Sequence, residues 1–159
     1  MNDTINESEP NDPQSILFPL AHHKGFLGKG AVCLKAKQKD HGLPLLPARP
    51  FFVNNVRLAW RVLTHSSFPI SKQFYWEPDP ELDQNNSGTS ANLSCLLALA
   101  FTYSSRWSLK NFQVWATGEV DNTGELNPIN LLSHKLKGIL NSNTSTKPKL
   151  VFAPLANFD

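Results

Sequence analysis

Only two cysteines occur in the sequence, Cys33 and Cys95, far apart and each inside an apolar pattern. That excludes a disulfide-stapled framework and a cysteine-rich zinc ribbon, and it reads as two buried, reduced thiols of a cytosolic protein. No run approaches the roughly 20 apolar residues of a membrane span. The opening residues, 1–14, lack the basic and apolar regions of a secretion signal. Neither sign of charge dominates, since 15 basic and 13 acidic residues leave a formal +2, so nucleic acid and membrane surfaces are not expected partners. No G-x-x-x-x-G-K-[ST] stretch is present, and Gly28 to Gly30 is too short a signal for a phosphate loop. His22, His23, His41 and His65 lack metal-ligand spacing. No metal or organic cofactor is expected.

What is present is enough for one core. At 159 residues the chain has single-domain length, and four tryptophans add bulk. Residues 1–14 are polar, acidic and proline-containing, and read as a disordered leader before a domain at 15–159. Ile16–Leu20 and Gly30–Lys37 read as strands, and Lys39–Pro50 as a loop. Val56, Ala59, Trp60 and Leu63 recur at helical spacing behind an asparagine cap at Asn54, with Arg57 and Arg61 on the other side. Ile70–Trp76 is strand-like, and Pro78–Asn86 is a polar loop. Glu77, Asp79, Glu81 and Asp83, near Ser90 in sequence, read as a solvated lip, with a groove biased towards basic peptides as the alternative.

Ser90–Tyr103 is apolar enough to be a buried central helix. Phe112–Gly118 reads as a strand, turning at Asp121–Gly124 into a return strand that stops at Pro128. A helix over Leu131–Leu140 has Leu132, Leu136, Ile139 and Leu140 on its core face. A loop, Asn141–Pro148, leads to a final strand, Leu150–Ala153. The expected class is α+β, a mixed sheet with helices mainly on one side. The abrupt end after that strand reads as a domain excised from a longer protein.

Two segments carry chemistry. Ser87-Gly88-Thr89-Ser90-Ala91-Asn92 sets a hydroxyl in a small-residue turn at a helix start. Pro128-Ile129-Asn130-Leu131-Leu132-Ser133-His134-Lys135 sets an amine in the first turns of another helix. A serine attacks only when a base takes its proton, and a neutral amine in a dry pocket can do so. Leu131, Leu132 and Leu136 surround Lys135 with the apolar surface that disfavours an ammonium. Each residue alone has a plain explanation, a cap for Ser90 and solvation for Lys135. His134 points to another helical face and is incidental.

The order of the pieces resembles the proteolytic domain of Lon proteases. Gly88-Thr89-Ser90-Ala91 and an apolar helix are followed by Trp115-Ala116-Thr117-Gly118-Glu119-Val120. Gly124-Glu125-Leu126-Asn127-Pro128-Ile129 and the Lys135 helix come next. In that family the nucleophile lies in a D-G-P-S-A-G turn, before a helix, an M-T-G-E-I strand, a G-x-V-L-P-[IV]-G-G turn and a lysine-bearing helix. Leu150-Val151-Phe152-Ala153-Pro154 with Asn157 looks like the family's closing strand. The resemblance covers residues 70–159 and fits the first half in outline only. It departs at Ser87, Thr89 and Asn92, where the family has Asp, Pro and Gly, and at Asn130 and Leu131, where it has paired glycines.

The resemblance implies a serine endopeptidase with a Ser90–Lys135 dyad, Thr117 orienting the amine, and an oxyanion held by the backbone N–H groups of Ser90 and Ala91. Its partners would be a polypeptide substrate, bound extended along a strand edge, and a regulatory or ATPase region outside this chain; oligomerisation stays open. Without an ATPase module the expected activity is ATP-independent. Two other readings stand beside it. One is a non-catalytic interaction module of the same fold, docking a partner near Trp76 and Trp115. The other is a nucleotide-binding enzyme, because Ser87–Ala91 is similar to the G-L-G-S-S-A phosphate motif of some small-molecule kinases. The T-G-E and lysine segments argue against that last reading.

Overall fold

The computed structural model describes residues 14–38, 50–66, 74–78, 89–103, 109–143 and 145–158. Expectations for the rest of the leader, for the loops over 39–49 and 79–86, for residues 70–73, and for His41, Ser87 and Gly88 fall outside these residues. Gln14, read as part of the leader, belongs to the folded part: its Nε2 donates to Leu109 O at 3.0 Å.

Strands β1 (Ile16–His22) and β2 (Gly25–Val32) form an antiparallel hairpin. β1 also pairs in parallel with β5 (Gln113–Ala116), and β5 with β8 (Lys149–Phe152), giving a four-stranded mixed sheet in the order β2-β1-β5-β8. The class is α+β, as expected. The single strand read over Gly30–Lys37 is two. β2 ends at Val32, and β3 (Leu34–Gln38) pairs instead with β4 (Phe74–Pro78) in a separate ribbon. Val32, Cys33 and Leu34 are all buried, so alternation fails where the chain crosses the core from one sheet to the other.

Helix α1 (Pro50–His65) begins a full turn before Asn54, so Asn54 is not its cap. Pro50 opens it, where a fixed φ and a missing N–H cost nothing. Val56, Ala59 and Leu63 of α1 pack with Leu93, Cys95, Ala98, Leu99 and Phe101 of α2 (Asn92–Tyr103) over Ile16, Phe18, Val114 and Ala116 of the sheet. Apolar all round, α2 is the central element its composition implies. Ser94 Oγ donates to Ala116 O at 2.9 Å, so a buried hydroxyl fastens α2 to β5.

The opposite face of the sheet carries Trp115, alternating with Val114 and Ala116 and fully buried. There α3 (Leu132–Asn141) lies, its Gly138 directly against the Phe26 ring. Two helices therefore share one face, and α3 lies alone on the other. Its inner side is formed by Leu132, Lys135, Gly138 and Ile139, whereas Leu140, read as a core position, is 73% exposed. Lys135 takes the inward place, and the 100° step per residue turns Leu140 outward. Cys33 and Cys95 are buried and not disulfide-bonded. Among the described residues, no helix is long and apolar enough to cross a membrane.

Candidate active site

β1, β5 and β8 are parallel, so their carboxyl ends share one edge, the usual place for a site in a sheet of this kind. The strand read over Phe112–Gly118 ends there, at Ala116. The return hairpin is made instead by β6 (Glu119–Val120) and β7 (Leu126–Asn127). Gly118 causes the break. Its N–H donates to Ser90 O at 2.8 Å, and its carbonyl accepts from Leu93 N at 3.1 Å. A Cβ at Gly118 would lie 2.7 Å from Leu126 Cδ1, so glycine permits this close approach. The backbone around Ser90 is thus tied to the end of β5. Thr89–Ala91 forms a 3₁₀ turn that runs directly into α2.

Lys135 comes from the other face. The segment before α3 is held by Asn157, whose Oδ1 accepts from Ile129 N at 2.9 Å and whose Nδ2 donates to Ile129 O at 2.8 Å. Leu131, the residue before α3, has φ 61° and ψ 27° and makes no side-chain cap; its carbonyl accepts from Lys135 N at 3.1 Å. It is the one non-glycine residue with positive φ among the described residues. A leucine in the left-handed region is strained by on the order of 1 kcal/mol or more. Leu131→Gly is therefore expected to raise stability by about 1 kcal/mol in chemical denaturation, because glycine occupies that region without a Cβ clash.

These two approaches bring the predicted pair together. Lys135 Nζ donates to Ser90 Oγ at 3.1 Å, across 45 residues of sequence. Lys135 is 7% exposed, and burial pushes its amine below the usual lysine range, with no other cause contributing. No carboxylate among the described residues is hydrogen-bonded to the amine, so its charged form is poorly compensated. A hydroxyl against a desolvated amine is an arrangement capable of nucleophilic attack with the amine as base.

Thr117 lies just past β5, with its backbone N–H donating to Phe152 O at 3.0 Å. Its hydroxyl is buried and has no hydrogen-bond partner. The contact to the lysine amine that the sequence resemblance implies is therefore not formed here. A buried hydroxyl without a partner costs about 1–3 kcal/mol. Thr117→Val, nearly isosteric, is expected to raise the melting temperature by a few degrees.

Two polar features at this edge escaped the sequence reading. Asn55 and Asn92 are both buried, and Asn92 Nδ2 donates to Asn55 Oδ1, locking α1 to the start of α2. Thr89 Oγ1 donates to Glu119 Oε2 at 2.9 Å, joining the residue before Ser90 to β6. The signal available for the first was Asn55 beside the Val56–Ala59–Leu63 stripe, an inward polar residue that needs a partner. His22 and His23 stack on each other at 4.7 Å in the β1–β2 turn, and no group of three His, Cys, Asp or Glu among the described residues is placed to hold a metal. No protein-family model matches the chain, and no curated protein matches it.

Proposed function

We propose that the chain is a serine endopeptidase domain of the Lon type, hydrolysing peptide bonds with Ser90 as nucleophile and Lys135 as general base. The 3.1 Å contact between Ser90 Oγ and Lys135 Nζ, with the lysine buried and the serine half-buried, carries this reading. In the working state the amine is neutral and accepts the hydroxyl proton as Oγ attacks the scissile carbonyl. The oxyanion is met by the backbone N–H groups of Ser90 and Ala91 in the 3₁₀ turn that leads into α2, next to the helix N-terminus whose dipole favours negative charge.

The ammonium then gives its proton to the leaving amine, and the acyl group remains on Ser90 Oγ. A water molecule, deprotonated by the same amine, attacks the ester, releasing the carboxylic acid product and restoring the serine. Thr117 acts as a positioning residue, its free hydroxyl accepting from the transient ammonium. Thr117→Val would then lower kcat with little change in KM while stability rises. An unchanged kcat removes Thr117 from this role.

Substrate reaches the cleft as an extended segment. An unfolding partner, if one serves it, lies outside this chain, and the cytoplasm is the compartment that the buried thiols suit. The direct test is incubation of the purified chain with an unstructured polypeptide, without ATP, and detection of fragments by mass spectrometry. Fragments from the wild type and none from Ser90→Ala support the reading; equal digestion by both refutes it. The alternative, a non-catalytic interaction module, is disfavoured by the desolvated amine, since a binding surface has no use for a buried lysine against a hydroxyl.

A further inference from the structure

We propose that the groove beside Ser90 recognises a carboxylate of the substrate, an Asp or Glu side chain close to the scissile bond, through Arg57 and Arg61. The proposal rests on the peptidase reading for what is cut, but the groove's own chemistry comes from separate residues. A groove of ≈ 570 Å³ runs between α1, the 3₁₀ turn and β6, with Thr89 and Asn92 on its wall at either side of Ser90. Thr89 directly precedes Ser90 in the 3₁₀ turn, so the groove adjoins the turn that carries the nucleophile. Arg57 and Arg61 are four residues apart on α1, on the side opposite the Val56–Ala59–Leu63 stripe, and both are exposed and line this groove. Neither guanidinium has an ion-pair partner among the described residues.

Asn55 supplies the second observation. It is 6% exposed, lines the same groove, and its Nδ2 is buried with no hydrogen-bond partner. Buried donors are rarely left unpaired, so the site holds a donor that a bound acceptor would satisfy. Two carboxylates share the wall, Glu119 and Asp121. Both already serve local structure. Glu119 Oε2 accepts from Thr89 Oγ1. Asp121 Oδ1 accepts from Thr123 Oγ1, Thr123 N and Glu125 N, which hold its carboxyl below the usual range. Each carboxylate keeps a second oxygen with no hydrogen bond among the described residues, so the groove holds both signs of charge; its cationic donors are the two guanidinium forks, which suit a carboxylate.

Two measurements on the full chain test this. In the first, wild type and Arg57→Gln/Arg61→Gln digest the same peptide mixture, and cut sites are mapped by mass spectrometry. Acidic residues within two positions of the cut are expected to be enriched roughly tenfold in the wild type, the size of effect of a charge-assisted contact. In the double variant the ratio of acidic to neutral sites falls towards one. In the second, Ser90→Ala binds fluorescein-labelled peptides that differ only in Glu, Gln or Lys, read by anisotropy. The Glu peptide is expected to bind about tenfold tighter than the Gln peptide, and the advantage disappears when both arginines are replaced.

Arginine-dependent binding of the Glu peptide without cleavage by the wild type keeps the groove and removes the peptidase reading. Cleavage without acidic preference, a preference for Lys, or an acidic preference that survives the arginine substitutions overturns the groove assignment and leaves the peptidase reading standing. Absence of both cleavage and acidic binding overturns both.

Discussion

Ser90→Ala is expected to bring peptide hydrolysis below detection, a loss of at least about 10³-fold, with the fold intact. Lys135→Met is expected to lose about 10²–10⁴-fold, the range for removing a general base. Among the described residues the one hydrogen bond to Ser90 Oγ is from Lys135, and Ser90 is not part of the buried core, so its loss is expected to leave the fold standing. The two residues act as one unit, because a base without its nucleophile has nothing to deprotonate. The double variant should therefore be no slower than Ser90→Ala alone. Initial rates on one fluorogenic peptide, with circular dichroism of each variant, measure both points. A Lys135→Met protein as fast as the wild type would require another base, and no histidine among the described residues is hydrogen-bonded to Ser90.

The second large effect is on stability and its pH dependence. Burial lowers the amine's pKa in the folded chain relative to the unfolded one, where it titrates near 10.4. Between the lowered value and about 10.4, the unfolded chain binds the proton that the folded chain has released. Stability therefore rises with pH across that window. Below it, both states are protonated and the folded state bears the full cost of a desolvated ammonium. Lys135→Met removes that cost and the slope with it.

At neutral pH the variant should be more stable than the wild type, by on the order of 1 kcal/mol, and the difference should vanish as pH approaches 10.4. Activity follows the same proton. Below the lowered pKa, kcat/KM rises about tenfold per pH unit, and above it the profile levels. Urea titrations and rate profiles over one pH series would show both. Greater stability in the inactive variant is the expected signature of a strained catalytic residue.

The Ser90–Lys135 contact was legible in the sequence because each member sits at or near the start of a helix, where one turn's spacing decides direction. Lys135 lies between Leu132 and Ile139 on α3, so the stripe that buries those leucine and isoleucine side chains carries the lysine inward too. The central helix was legible for the same reason, an apolar surface on every side. What was hidden depends on partners distant in the chain. The split at Cys33 needs β4 to be known, since only pairing with Phe74–Pro78 draws Leu34 away from β2. The left-handed Leu131 carries no local mark, because leucine avoids that conformation and tertiary structure imposes it. The Asn55–Asn92 bond and the Asn157 clamp on Ile129 likewise join segments that no local pattern relates.

The most direct measurement is covalent trapping of the wild type by a fluorophosphonate across a pH series, with the adduct located by tryptic mass spectrometry. A single adduct on Ser90, forming faster as pH rises towards the lowered lysine pKa and failing to form in Lys135→Met, is the predicted result. Labelling at another residue, or labelling of Ser90 that is indifferent both to pH and to Lys135, would contradict it.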